Sequence, residues 1–292
     1  MRQSRFFSPL LYAAAFCLLL MAGCSSLPKE TVQKTPRNTR AASFLELGHQ
    51  QYRAGQYQKA SLSFEKALAS HASVDEGAGV AKSLSGLGRS QLALDQLDDA
   101  ESSFNQAFQA TRDLGQPQLA AEALGGLGAV QLHRQQPGNA LTWFEKALEL
   151  PLEDPGSTKA TLLHDSGSAQ LKLGNKTAAE EFFLMALAMH EPLRDLTGIA
   201  TDCYSLALMH EADNNYVPAM EYARRALSHD KRAENSTGIA LDLTLLGSLA
   251  EASGDNDQAM DYYRRARLAW KSLGQTEQVN NINAELQRIE SP

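Results

Sequence analysis

Apolar positions along this chain fall at the three- and four-residue spacing of amphipathic helices, and the arrangement returns about every 40 residues. A small residue leads each unit at Gly48, Gly88, Gly128, Gly167, Ala207 and Gly247, with steps of 40, 40, 39, 40 and 40. Three columns are alanine throughout: Ala41, Ala81, Ala121, Ala160, Ala200 and Ala240; Ala60, Ala100, Ala140, Ala179, Ala219 and Ala259; and Ala67, Ala107, Ala147, Ala186, Ala226 and Ala266. A ring stands between the last two columns at Phe64, Phe104, Phe144, Phe183 and Tyr263, with Ala223 in its place in the fifth unit. The pentapeptide FEKAL, present at Phe64–Leu68 and Phe144–Leu148, is one visible trace of this period. Each unit breaks once, at Gly55, Asp95, Gln135–Gly138, Gly174, Asn214 or Gly254, and most of these residues tolerate the left-handed conformation that ends a helix. The pattern predicts six helix–turn–helix units over residues 41–274. Val279, Ile282, Leu286 and Ile289 then share one helical face, predicting a capping helix within residues 275–292.

An internal period in this range marks a stacked array. The order small residue, alanine, aromatic, alanine, read in "LELGHQQYRAGQYQKASLSFEKAL" and "SGLGRSQLALDQLDDAESSFNQAF", resembles the tetratricopeptide repeat (TPR). TPRs usually repeat every 34 residues; these units are similar to the lengthened TPRs of several adaptor and regulator families. The resemblance implies an all-α, right-handed superhelical solenoid in which small residues admit close helix approach and rings fill the wedge between units. Glycine inside a helix costs about 1 kcal/mol relative to alanine, so its recurrence calls for a packing reason. The fifth unit, lacking the ring, is expected to repack locally or to form a soft joint.

The resemblance also implies that the first helix of each unit lines a concave groove. Its inward positions lie three before and one, four and five after the glycine column. The candidate partner-binding residues are therefore His49, Arg53, Arg89, His133, His164, Lys172, Tyr204, Glu211 and Glu251, accompanied by Leu45, Tyr52, Ser85, Leu92, Leu208, Thr244 and Ser248. Arginine and histidine stand in the N-terminal half, glutamate in the C-terminal half, a polarity that would orient an extended peptide. The Lys/Asn set of TPRs that clamp a C-terminal carboxylate is not reproduced. A second candidate surface is the ring series Trp143, Phe182, Tyr222 and Tyr262, one place before the core ring.

The N-terminus changes the setting. Arg2 and Arg5 precede an apolar run over Leu10–Ala22, shorter than the roughly 20 residues of a membrane span and suited to an export signal. Met21-Ala22-Gly23-Cys24 resembles the lipobox of bacterial lipoproteins, with Met where Leu is usual. That resemblance implies a signal peptide at 1–23 and acylation (palmitate among the lipids) at Cys24. An ordinary cleaved signal or an uncleaved anchor is the alternative. Ser25, in place of the aspartate that retains lipoproteins in the inner membrane, implies the periplasmic face of a Gram-negative outer membrane. Residues 24–40 then read as a lipidated cysteine and flexible tether.

Composition narrows the chemistry. The 292 residues carry 27 Lys and Arg against 34 Asp and Glu, a net charge of −7, and no dense basic run, which argues against nucleic acid as partner. The three cysteines, Cys17, Cys24 and Cys203, leave no internal disulfide once the signal is removed and Cys24 acylated. His190-Glu191 and His210-Glu211 lack the second histidine of a metalloprotease helix, and Gly125–Val130 has no preceding strand to make it a dinucleotide loop. Catalytic residues, cofactor and metal are all expected to be none. The expectation is a non-enzymatic scaffold holding a protein or peptide client, similar to adaptor or pilotin lipoproteins. The alternatives are a peptidoglycan-acting enzyme and a purely structural, oligomerising lipoprotein.

Overall fold

The computed structural model describes residues 36–152 and 156–291. Among them are thirteen helices and no strand: α1 (Pro36–Arg53), α2 (Tyr57–Ala72), α3 (Gly77–Ala93), α4 (Leu97–Thr111), α5 (Pro117–His133), α6 (Pro137–Leu148), α7 (Gly156–Lys172), α8 (Lys176–Leu193), α9 (Leu196–Ala212), α10 (Tyr216–Ala233), α11 (Ser236–Ala252), α12 (Asn256–Ser272) and α13 (Thr276–Glu290). Residues Arg37–Pro292 form one unit. From α2 onward each helix packs on the next, and the first helices of successive repeats also touch, α3 on α5, α5 on α7, α7 on α9 and α9 on α11. The result is a superhelical solenoid of six helical pairs with α13 laid over the last.

The repeat is built around its smallest residues. All 18 column alanines are 0–1% exposed, so any larger side chain there would push neighbouring helices apart. Phe64, Phe104, Phe144 and Phe183 are equally buried. Each lies over the glycine of its own first helix. A Cβ on Gly48, Gly88, Gly167 or Gly247 would stand 2.6, 3.0, 2.9 or 2.6 Å from the ring, and one on Gly128 closer still. Phe64 also closes on Gly86, and Phe104 on Gly126, in the next repeat. Ring and bare α-carbon thus make one slot that joins two repeats. In repeat 5 both halves change together: Ala207 replaces the glycine, Ala223 replaces the ring, and both are fully buried. The departure is a local repacking.

Turns within the repeats place Gly55, Asp95, Gln135, Gly174, Asn214 and Gly254 at φ between 58° and 82°. In repeat 3 it is Gln135 that takes the left-handed conformation, while Gly138 lies inside α6. At the N-terminus, α1 begins at Pro36, so the last five residues of the segment expected as flexible tether, 36–40, are helical. Proline suits a first helical turn, where its missing N–H has no partner to lose. The signal peptide and Cys24 lie outside the described residues.

The joints between repeats carry a polar series that the period alone does not reveal. His71, His190 and Asp230 are buried at the ends of α2, α8 and α10. Each faces a glycine of the following helix, Gly79, Gly198 or Gly238, where a Cβ would overlap it. Each also meets a polar residue five places on: His71 lies 2.9 Å from Glu76, His190 3.9 Å from Asp195, and Asp230 accepts from Asn235 at 3.0 Å. At the joint of repeats 4 and 5, fully buried Asp202 holds His190 through one carboxylate oxygen and His164 through the other, both at 2.7 Å. One joint later Asp242 meets Asp230.

The concave groove and its hollow

First helices α1, α3, α5 and α7 enclose a hollow of about 540 Å3, a size ordinary for a binding pocket. Its wall is set by groove positions. Repeat 3 places Gly125 and Ala129 where repeat 5 has Tyr204 and Leu208, and that loss of side chain opens the space. Leu92, Leu162 and the edge of Phe104 give an apolar floor; Arg53 and Arg89 stand with Tyr52 and His49 toward the N-terminal end, and Glu122 and Asp165 stand toward the other. Ser157, Thr158 and Thr161 add hydroxyls, with Thr158 accepting from Gln118 across repeats 3 and 4.

Electrostatics sharpen this polarity. Burial and the neighbouring Arg89 lower the His49 imidazole from its usual value, disfavouring its charged form. It packs edge-on against Phe64 at 5.1 Å. Burial also raises the Tyr52 phenol, so the cations at that end are Arg89 and Arg53, the latter paired with the exposed Glu46 at 3.5 Å. Burial, assisted by the Asp202 carboxylate, pushes the Asp165 carboxyl up to about 6 despite the opposing effect of His164. A desolvated carboxyl of this kind gains most from a cation brought to it.

Of the sequence candidates, the structure gathers His49, Arg53 and Arg89 in the hollow with Tyr52 and Leu92. The others go elsewhere. His164 turns into the joint, bonded to Asp202 and packed on the Phe183 ring at 5.0 Å, and is a packing residue rather than a groove contact. Tyr204 is half-buried between the clusters of repeats 4 to 6. Glu211 accepts a hydrogen bond from Ser248 at 2.7 Å. Glu251 is engaged by Arg288 of the capping helix, so its charge is committed inside the fold. His133 and Lys172 are exposed near the ends of α5 and α7, outside the hollow. Sequence reasoning missed Glu122 and Asp165, six and two places before the glycine column; the signal available was acid at positions otherwise apolar or small in most repeats.

Remaining chemistry resolves into packing. Cys203 is fully buried, and burial raises its thiol to about 12, so it is no nucleophile at neutral pH. His210 stacks on Tyr222 at 5.6 Å, and Gly125, Gly126 and Gly128 face Leu162, Phe104 and Phe144. Trp143, Phe182, Tyr222 and Tyr262 are half-buried. Where repeats 1 and 2 lack this ring, Ser63 and Ser103 donate instead to Gln51 and Gln91, at 2.7 and 2.6 Å. Among the described residues, no group of three or more His, Cys, Asp or Glu could hold a metal, and no helix is long and apolar enough to cross a membrane.

Solved structures with this fold are numerous. The Rap conjugation gene regulator of the plasmid pLS20, in complex with the Phr* peptide, is 16% identical with a TM-score of 0.64, the match covering 90% of this chain and 70% of that one. PilW, a widely conserved type IV pilus biogenesis factor, is 19% identical with a TM-score of 0.56, covering 83% and 97%. PilF of Pseudomonas aeruginosa is 17% identical with a TM-score of 0.54, covering 86% and 100%. At these identities the likeness is one of fold. No curated protein matches the sequence. Tetratricopeptide-repeat family profiles match residues 39–113 and 119–191, and a further one residues 243–271. With its helical pairs, alanine columns and ring-on-glycine slots, the chain belongs to the tetratricopeptide-repeat family.

Proposed function

We propose that this protein is a non-enzymatic, lipid-anchored scaffold of the periplasmic face of the outer membrane, whose groove holds an extended segment of a protein client. The observation that carries the reading is the hollow across α1, α3, α5 and α7, with Arg53 and Arg89 at one end and Glu122 and Asp165 at the other. A segment lying there sets an acidic group against the arginines and a basic group against the carboxylates, with an apolar residue between on Leu92 and Leu162. A peptide-bound Rap regulator and a pilus biogenesis factor among the proteins of like fold support a peptide-holding and assembly role. The anchor rests on the Cys24 motif; the resemblance to adaptor and pilotin lipoproteins points to envelope enzymes or a pilus secretin as the class of client.

Photocrosslinking in cells from Tyr52 or Leu92, followed by identification of what is captured, tests the groove. Arg89→Glu and Asp165→Asn should each reduce capture of the same client by tenfold or more, and capture unaffected by both would overturn the reading. Because the Asp165 anion is lost as pH falls through about 6, binding should weaken over that interval in the wild type and not in Asp165→Asn. Cys24→Ala should release the protein from membranes washed in 300 mM salt, where surface charge attraction is screened.

A further inference from the structure

Charge is distributed unevenly along the solenoid. From Arg37 to Ser73, the span of α1 and α2, there are five basic residues and two acidic ones; from residue 74 to the end there are 18 and 31. The first repeat is thus a cationic end on an otherwise anionic body. Its basic residues are also concentrated. Arg37, Arg40 and Lys66 surround Phe44 beside a hollow of about 430 Å3 that Ala69, Ser70 and Ser73 complete. The Arg40 guanidinium lies 5.6 Å and the Lys66 ammonium 5.9 Å from the centre of the Phe44 ring. All three cations are exposed, and no ion pair among the described residues engages them. Along the same helices, Leu47 stands three places after Phe44 and Leu62 four before Lys66, 41% and 57% exposed. No helix precedes α1 among the described residues, whereas the opposite end is covered by α13.

We propose that this face of the first repeat docks on an anionic membrane surface, with Arg37, Arg40 and Lys66 on lipid phosphates and Phe44, Leu47 and Leu62 at the headgroup boundary. Two observations select this occupant. The first is charge complementarity: a cationic, apolar-edged face suits an anionic interface, while the acidic remainder is repelled from it, so the molecule has one favoured orientation. The second is chain length. Only 13 steps separate Cys24 from Arg37, at most ~45 Å when extended and about 20 Å as a coil. An acyl chain at Cys24 would hold the cationic end near the headgroups. The inference rests on the lipid-anchor reading for its setting, but its test does not.

The mature chain, residues 24–292 with Cys24→Ala, carries no lipid and isolates the protein surface. In flotation with vesicles of 30% phosphatidylglycerol in phosphatidylcholine it should bind, more weakly as salt rises from 50 to 300 mM, and it should not bind phosphatidylcholine alone. Each basic side chain near such a surface contributes about fivefold. The variant R37Q/R40Q/K66Q should therefore bind roughly a hundredfold more weakly with an unchanged melting curve, whereas R224Q/K231Q/R232Q on α10 should bind as the parent. Equal flotation with neutral vesicles, no flotation with anionic ones, or an unaffected R37Q/R40Q/K66Q variant would each overturn the proposal. Failure of the anchor itself would show separately, as full-length Cys24→Ala staying, like the wild type, on membranes washed in 300 mM salt.

Discussion

Gly128 faces the ring of Phe144, and the same pairing of bare α-carbon and ring recurs at Gly48 with Phe64 and Gly247 with Tyr263. Repeat 5 shows a second solution, Ala207 with Ala223, both fully buried. The two positions therefore share one volume. Phe144→Ala should cost about 3–5 kcal/mol as a cavity, and Gly128→Ala about 1–3 kcal/mol by overpacking. In the double variant the new Cβ occupies space the ring has left. Its loss should fall at least 1 kcal/mol short of the sum, a coupling that urea titration of all four proteins resolves; strict additivity would refute the shared slot. Packing residues of this kind were legible in the sequence because identity repeated at a fixed step. His164 was not, because its partner, Asp202, lies 38 residues away in a column that holds Ser83, Ala123 and Leu162 and carries an acid again only at Asp242.

Helices meet across joints whose polar contents differ from one to the next. The joint of α10 and α11 sets Asp230 against Asp242, 4% and 1% exposed. Asn235 donates to Asp230, while Asp242 Oδ2 has no donor of its own. The pair is satisfied only when one carboxyl keeps its proton. Burial, reinforced by the Asp230 charge, raises Asp242 to about 8; burial raises Asp230 as well. Tyr204 and Cys203 are the further titratable neighbours that feel Asp242. Since the folded pKa lies above the unfolded value, the pair's contribution is full below about pH 4 and is lost as pH rises through 8. Wild-type Tm should fall relative to Asp242→Asn, whose amide donates at every pH, by roughly 4–8 °C between pH 5 and pH 9. A constant difference in Tm would sink this account. Helix boundaries were largely readable from glycine and asparagine turns, but Gln135 holds the same left-handed turn with no compositional signal. The joints were only half-written: His71, His190 and Asp230 each precede an acidic residue or asparagine by five and a glycine by eight, a spacing visible once the contacts are known.

Solenoid stability is close to a sum of repeats and the interfaces between neighbours, so the ends decide where unfolding starts. At the C-terminal end α13 buries Ile282 and Leu286 on the cluster that contains Tyr263 and Trp270. Arg264 reaches Glu290 at 3.1 Å, and Arg288 joins Glu251 to Glu285. Removing residues 275–292 should then cost repeat 6 about 3–6 kcal/mol from the two lost side chains, while leaving repeats 1 to 4 nearly untouched. The protein's two tryptophans report on these regions separately, because Trp143 lies in repeat 3 and Trp270 in repeat 6. In the shortened chain carrying Trp143→Phe, fluorescence should shift to the red and hydrogen exchange should quicken through α11 and α12. With Trp270→Phe instead, the emission of Trp143 should stay where it was. Equal loss at both tryptophans would mean that the array unfolds as one block. The groove formed by α1, α3, α5 and α7 could then no longer be treated as independent of the cap six helices beyond it.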